Sequence, residues 1–303
     1  MIIHRRVGAL VAVGALLVTG CSNADPLEQP APEGGEDGAI VVGSQQYYSN
    51  EIIAELYAQA LEEAGNTVQR EYQIGQREIY LPELESGNID VLPEYSGNLM
   101  QYLDENATAS EPEQIAAALE ESLPEGLRAL DAAEATDQDS YTVTRAFAEE
   151  HQLSTIADLA KVPGPLQIAA NSEFETRPYG PTGAQEVYGV ELSVVPVEDS
   201  GGPLTVKALT DGDAQVADIY TADPAIEAND LVSLEDPENL ILPQQVTPVV
   251  SDKVDEDAAA AIDEVNAKLT TEELIALNTA SVEDQRNSGD IATEWLQEQG
   301  LVG

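Results

Sequence analysis

The sequence predicts an α/β protein divided into two lobes, and three observations carry that expectation. Short apolar runs that read as buried strands alternate with amphipathic stretches that read as helices, the pattern of a sheet covered by helices. Behind an N-terminal leader and linker, about 265 residues remain, enough for two lobes with sizeable cores. No internal repeat breaks the alternation, and no later hydrophobic run is long enough to span a membrane.

Taken in order, Ala39 to Gly43 is a short apolar strand and Ser44 to Asn50 a polar loop. Glu51 to Ala64 is then a helix, with Ile52, Ile53, Leu56, Ala60 and Leu61 at helical spacing and Gly65 ending it. Thr67 to Ile74 supplies the second strand of a β-α-β unit. Ile79, Leu81 and Leu84 share one side of a short helix that Gly87-Asn88 stops, and Ile89 to Leu92 is a compact strand that Pro93 ends. Residues just past a strand's carboxyl end line the ligand crevice of an open α/β sheet. Tyr95 therefore stands where a ligand would sit, with Gly97 turning the backbone beyond it. Tyr47 and Tyr48 hold the same kind of place after the first strand.

Residues 99–122 read as an amphipathic helical region, and Leu127 to Leu130 and Tyr141 to Val143 as strands flanking an acidic segment, Asp131 to Asp139. The first crossing between lobes is placed near Ser140 to Thr144. Ser154 or Thr155 caps a helix start, and Leu166 to Ala170 is a buried strand leading into the loop Asn171 to Gly180. That loop carries Arg177, one of few cations in the chain, just past a strand end. Its paired N–H groups suit a ligand carboxylate, but many acids are available for a structural ion pair, and the residues alone leave both readings open.

Val194 to Val197 is a strand, followed by a tight turn, Asp199 to Thr205, and a helix over Leu204 to Leu209. The Gly201-Gly202 pair lacks the Lys that a phosphate loop requires. Gly212 to Asp223 repeats the earlier device of helix, glycine turn, buried strand and terminal Tyr220. The return crossing is expected at Gln244 to Val250, kept extended by Pro243 and Pro248. Helices at about Glu256–Leu269, Thr271–Ala280 and Ser288–Gln299 complete the first lobe, with Trp295 in its core. The expected division is 1–20 as a signal peptide, 21–38 as a tether, 39–142 with 246–303 as the first lobe, and 143–245 as the second.

The leader has a charged start (His4, Arg5, Arg6) and an apolar run from Val7 to Val18. Val18-Thr19-Gly20-Cys21 resembles a bacterial lipobox, which makes Cys21, the only cysteine, the lipidated residue; an ordinary cleaved signal with an incidental cysteine is the alternative. One cysteine excludes an internal disulfide and any Cys-based metal site. Ser22 to Gly38, rich in Pro, Gly and acids, reads as a flexible tether.

Twelve basic residues against 57 acidic ones give a formal net charge of −45. This excludes nucleic acid, whose phosphates need Lys and Arg. It also excludes an electrostatic grip on anionic lipid, so membrane attachment falls to the N-terminal lipid alone. The acidity reads either as a field that gathers cations or as a solvated surface suited to high salt. The second is preferred, because at ~1 M salt the Debye length is only about 3 Å and steering is screened.

Eleven tyrosines against two Phe and one Trp make a lopsided aromatic set. Tyr57, Tyr102 and Tyr188 fall at helical positions, whereas Tyr47, Tyr48, Tyr95 and Tyr220 fall at strand ends, with Tyr80 and Tyr179 as further candidates. Ring faces are what a quaternary ammonium needs, since it cannot donate a hydrogen bond; each well-placed ring contributes about 0.5–2 kcal/mol. An enzyme is not expected: His151 sits in a polar helical segment, and no Ser-His-Asp, His-metal or Cys-His set can be assembled around it. No cofactor or metal is implied.

The stretch LESGNIDVLPEYSGN, Leu84 to Asn98, resembles the signature of the substrate-binding lipoproteins of osmoprotectant ABC importers, which take up glycine betaine, choline, carnitine or proline betaine. Ser96 stands where that family more often has Thr. In the second loop Phe174, Arg177 and Gly180 match the family, but Tyr179 replaces its commoner Asp. The resemblance implies a two-lobed, periplasmic-binding-protein-like (type II) fold with two hinge-crossing segments and a monomer that closes on its solute. It implies ligand contacts from the loop after the first strand, an Arg177 that meets a substrate carboxylate, and an aromatic, Tyr220, that closes the cage. Its partners would be the transmembrane subunits of a permease driven by a cytoplasmic ATPase, at the outer face of the cytoplasmic membrane. A receptor for another small solute, such as a polar amino acid, and a structural lipoprotein without a crevice are the alternatives.

Overall fold

The computed structural model describes residues 38–303; the expected signal peptide, Cys21 and the tether as far as residue 37 lie outside the described residues. The chain begins with strand β1 (Ile40–Gly43), helix α1 (Tyr48–Glu63) and strand β2 (Val68–Glu71), which pairs parallel to β1. Helix α1 starts earlier than its apolar spacing suggests, because two of its first polar residues face inward. Asn50, fully buried, accepts from Gln45 N at 2.8 Å and donates from Nδ2 to the Pro93 carbonyl at 2.9 Å. Side chains that look like loop residues thus tie the first turn of α1 to the neighbouring strand.

Helix α2 (Arg77–Glu85) leads to β3 (Val91–Tyr95), buried at every position, and α3 (Ser96–Leu103) follows without a break. Pro93 does not end this strand. It lies opposite Pro248 in an antiparallel pair, where neither missing N–H is needed between the two strands. The Pro93 carbonyl faces the β1 side and accepts from Asn50, while the Pro248 carbonyl faces the other way and accepts from Leu130 N. Gly97 serves close approach rather than a turn: a Cβ there would lie 2.6 Å from the Pro243 carbonyl oxygen. Helix α4 (Pro112–Ser122) and strand β4 (Leu127–Ala129) close this half.

The chain then crosses to a second sheet made of β5 (Tyr141–Thr144), β6 (Leu166–Ala170), β7 (Leu192–Pro196), β8 (Val216–Asp218) and β9 (Leu231–Ser233), in the order β7-β6-β8-β5-β9. It carries α5 (Arg145–His151), α6 (Pro181–Tyr188), α7 (Pro203–Thr210) and the short α8 (Ala225–Ala228). The helix start at Thr155 is a 3-10 turn, Ile156–Lys161, in which Asp158 accepts from Ser154 N and Thr155 N. Strand β10 (Val246–Ser251) returns to the first sheet, order β2-β1-β3-β10-β4, and α9 (Glu256–Asn266), α10 (Thr271–Val282) and α11 (Ser288–Gln299) pack on it with α1. Trp295 is buried in that core and donates from Nε1 to Glu273 Oε2 at 2.7 Å.

The chain leaves the first sheet ahead of β5 and returns ahead of β10, whose first residue is Val246. An expected boundary after residue 142 cuts β5 in half, yet Tyr141 and Thr142 pair with Asp218 and Ala217 of the second sheet. The two connecting segments run side by side: Ala133 N donates to the Val246 carbonyl, Val246 N to the Ala135 carbonyl, and Thr136 bridges Gln245. The two sheets have the same plan, three parallel strands followed by an antiparallel one that arrives from the other half, so β1, β2 and β3 correspond to β6, β7 and β8. No helix among the described residues is long and apolar enough to cross a membrane.

Candidate functional site

The loops that leave the carboxyl ends of β1, β3, β6 and β8 meet in one cleft between the lobes. The first lobe lines it with Gln45, Tyr47, Gln76, Arg77, Tyr95 and Asn98; the second contributes Glu173, Phe174, Arg177, Tyr179, Asp218 and Tyr220; Asp137 and Asp139 come from the first crossing. The cavity holds about 50 Å³ on a measure by which one water needs about 10–15 Å³, room for a small solute only.

Tyr47 is the centre of the aromatic set. Its ring stacks on Tyr95 at 6.5 Å and 23°, and meets Tyr220 edge-on at 5.0 Å and 63°. Burial first, then Tyr95, Tyr220 and Asp137, push the Tyr47 hydroxyl pKa above the ordinary phenol value, so it stays neutral. Tyr179 packs edge-on against Phe174 at 5.8 Å, and its hydroxyl accepts from Asn98 Nδ2 at 3.2 Å across the cleft. The Tyr95 hydroxyl is buried and has no hydrogen-bond partner among the described residues.

Two of the candidate tyrosines lie elsewhere. Tyr48 turns away along α1, where its hydroxyl donates to Asp223 Oδ2 at 2.9 Å. Tyr80 is fully buried, and its hydroxyl donates to Glu94 Oε1 at 2.6 Å. Helix periodicity explains both: Tyr48 is the first residue of α1, one position past the loop-borne Tyr47, and Tyr80 lies on the inner face of α2 with Leu81 and Leu84.

Neither guanidinium in the cleft is free. Arg77 donates from Nε to Glu94 Oε1 at 2.9 Å and from Nη2 to Oε2 at 2.8 Å, with both residues buried. Burial opposes the Arg77 charge, but the Glu94 carboxylate reverses this and holds its pKa above the ordinary value. Arg177 lines the cleft but donates from Nη1 and Nη2 to the two Glu78 oxygens, at 2.9 and 3.4 Å, joining the second lobe to α2 of the first. Both guanidiniums lie against the Tyr102 ring, at 5.7 and 5.9 Å from its centroid. Ser200, held at φ 52° and buried, adds another bridge by accepting from Gln46 Nε2 at 2.8 Å.

The acids were not legible as site residues, since carboxylates are everywhere in this chain. Asp137 Oδ1 accepts from Ala222 N at 2.9 Å and Oδ2 from Ser49 Oγ at 3.2 Å; burial pushes its pKa up to about 7. Asp139 Oδ2 accepts from Asn98 Nδ2 at 2.7 Å. Burial and the adjacent Asp139 push the Asp218 carboxyl well above the ordinary carboxylate range. The sequence signal that could have found Asp218 is its place at the end of β8, two residues before Tyr220.

Two α/β lobes joined by paired crossings, with a cleft at the carboxyl ends of both sheets, define a solute-binding protein. Residues 38–298 match the substrate-binding domain of ABC-type glycine betaine transport systems (OpuAC), and the chain belongs to that family. It is 25% identical over 308 residues to the glycine betaine-binding protein YehZ of Escherichia coli strain K12, covering 97% of this chain and 96% of that protein. Among solved structures it is similar to a glycine betaine/carnitine/choline ABC transporter, with a TM-score of 0.70 and 20% identity over 86% of this chain and 99% of that one. It is also similar to lactococcal OpuAC in a closed form with glycine betaine, with a TM-score of 0.60 and 12% identity over 86% and 96% of the two chains. At these identities the structural likeness concerns the fold.

Proposed function

We propose that the chain captures a quaternary ammonium solute between its lobes, in a cage formed by Tyr47, Tyr95, Tyr179 and Tyr220, and delivers it to the permease of an ABC importer. The observation that carries this reading is the convergence of Tyr47 and Tyr95 from one lobe with Tyr220 from the other in a single small, acid-lined cleft. Rings from both halves supply the faces that a methylated ammonium needs, and the acids favour its positive charge. The family and the names of its relatives agree with this chemistry. Three or four rings suffice for roughly micromolar binding, about −8 kcal/mol, once ordering costs are offset.

In this reading Cys21 carries the lipid that holds the protein at the outer face of the cytoplasmic membrane, the preceding residues are a cleaved signal, and the tether sets the domain off the bilayer. The paired crossings act as the hinge, and the lobes are divided there. Glycine betaine, choline and proline titrated calorimetrically into folded, ligand-stripped protein test the reading. Heat with a quaternary ammonium and none with proline is expected; no heat with any quaternary ammonium refutes it.

A further inference from the structure

The charges in the cleft discriminate between two kinds of quaternary ammonium. Asp137, Asp139, Glu173 and Asp218 line it, and among the described residues none of the four is in an ion pair within 4.0 Å. Both guanidiniums in the same wall already have carboxylates, Arg77 from Glu94 and Arg177 from Glu78. Among the described residues, the cleft therefore holds unpaired acids and no unpaired base. Tyr95, only 4% exposed, adds its ring to the same cleft beside Tyr47.

Resting on the quaternary ammonium reading above, we propose that this site selects a monocationic quaternary ammonium alcohol over a zwitterionic betaine, with Asp139 setting the preference. A monocation is attracted by every ionised acid in the wall and brings no charge that the wall repels. A zwitterion brings a carboxylate of its own, which meets like charge unless Arg177 gives up Glu78. Charges inside a cleft are screened by salt much less than those on the surface, so the preference persists at high ionic strength.

Calorimetric titration of the folded, ligand-stripped chain with choline and with glycine betaine at pH 8 tests this. Choline is expected to bind at least about tenfold more tightly, a difference of ~1.4 kcal/mol, and Asp139→Asn should narrow that ratio. Equal or tighter binding of glycine betaine by the unaltered chain overturns the proposal and leaves the quaternary ammonium reading standing. Binding of neither overturns both. A choline preference that survives in the folded variant removes Asp139 from the role; where the variant does not fold by circular dichroism, the ratio for the unaltered chain decides.

Discussion

Asp137→Asn offers a test in which stability and binding move in opposite directions. Asp137 is 6% exposed, and burial raises its pKa from 3.8 to about 7, against the partial opposition of the Ala222 N–H and the Ser49 hydroxyl. A folded-state pKa above the unfolded one means the folded protein keeps a proton that the unfolded chain has already lost. Stability from this group is therefore undiminished below about pH 4, declines as pH rises, and levels off above pH 7. Asparagine has the same shape: its Oδ1 can accept from Ala222 N and its Nδ2 can donate to Ser49 Oγ, so the site keeps its bonds and loses its titration. The advantage of the variant over the parent should grow by about 2–3 kcal/mol between pH 5 and pH 8, which raises the melting midpoint by several degrees at ~2–4 °C per kcal/mol. Thermal melts of the ligand-free proteins at both pH values measure this difference, in which the general repulsion among the other acids cancels. The same substitution should weaken choline binding at pH 8, because it removes a carboxylate from the cage. A variant advantage that is absent or shrinks as pH rises refutes the assignment of a raised pKa to Asp137.

Four further outcomes follow from the same geometry. Glu94→Gln leaves the Arg77 charge buried without its counterion and should cost about 3–5 kcal/mol in urea unfolding; an unchanged midpoint contradicts the buried pair. Tyr220→Leu removes the ring that the second lobe sets against Tyr47 and should weaken quaternary ammonium binding about tenfold or more by calorimetry, with little change in the melting midpoint. Arg177→Ala and Glu78→Ala break the same inter-lobe bond, so each should lower choline and glycine betaine affinity by a similar factor, about three- to tenfold. A loss confined to glycine betaine would show instead that Arg177 leaves Glu78 for the ligand. With 57 acidic against 12 basic residues, the unfolding midpoint should rise from dilute buffer to molar salt; greater stability in dilute buffer refutes the salt-adapted surface.

Most strands and helices were legible because each is short, apolar and bounded by a glycine or a proline. β6 and α11 have the expected bounds, whereas α1 begins earlier because Ser49 and Asn50 are polar residues used inside the fold. Of the tyrosines at strand ends, Tyr47, Tyr95 and Tyr220 converge on the cleft, Tyr95 as the last residue of β3 and the other two from the loops after β1 and β8. Tyr48 and Tyr80 lie elsewhere because each sits within a helix, where a one-residue step turns a side chain by about 100°. The charge pairing was not legible at all. Nothing in the local pattern marks Arg77 and Glu94 as a pair, and the partner of Arg177 is nearly a hundred positions away in sequence, at Glu78. Long-range pairing is decided by how two lobes are set against each other, which no local pattern encodes.

That pairing explains why two nearly identical local devices end in opposite electrostatics. In both halves a helix is closed by a glycine in the left-handed region, Gly87 at φ 74° and Gly212 at φ 82°, followed by a buried strand and then a tyrosine, Tyr95 or Tyr220. Both glycines stand where an L side chain would be strained, so the turn and the direction of the strand are set alike in each half. The acids beside the tyrosines are not treated alike. Glu94 is fully buried against Arg77, with the Tyr80 hydroxyl and the Tyr95 N–H as further donors, and is neutralised within its own lobe. Asp218 receives only the Ser140 N–H at 3.3 Å and faces Asp139. The first lobe thus presents ring faces beside an acid tied to an arginine, and the second a ring face beside an acid that burial and Asp139 hold well above the ordinary carboxylate range.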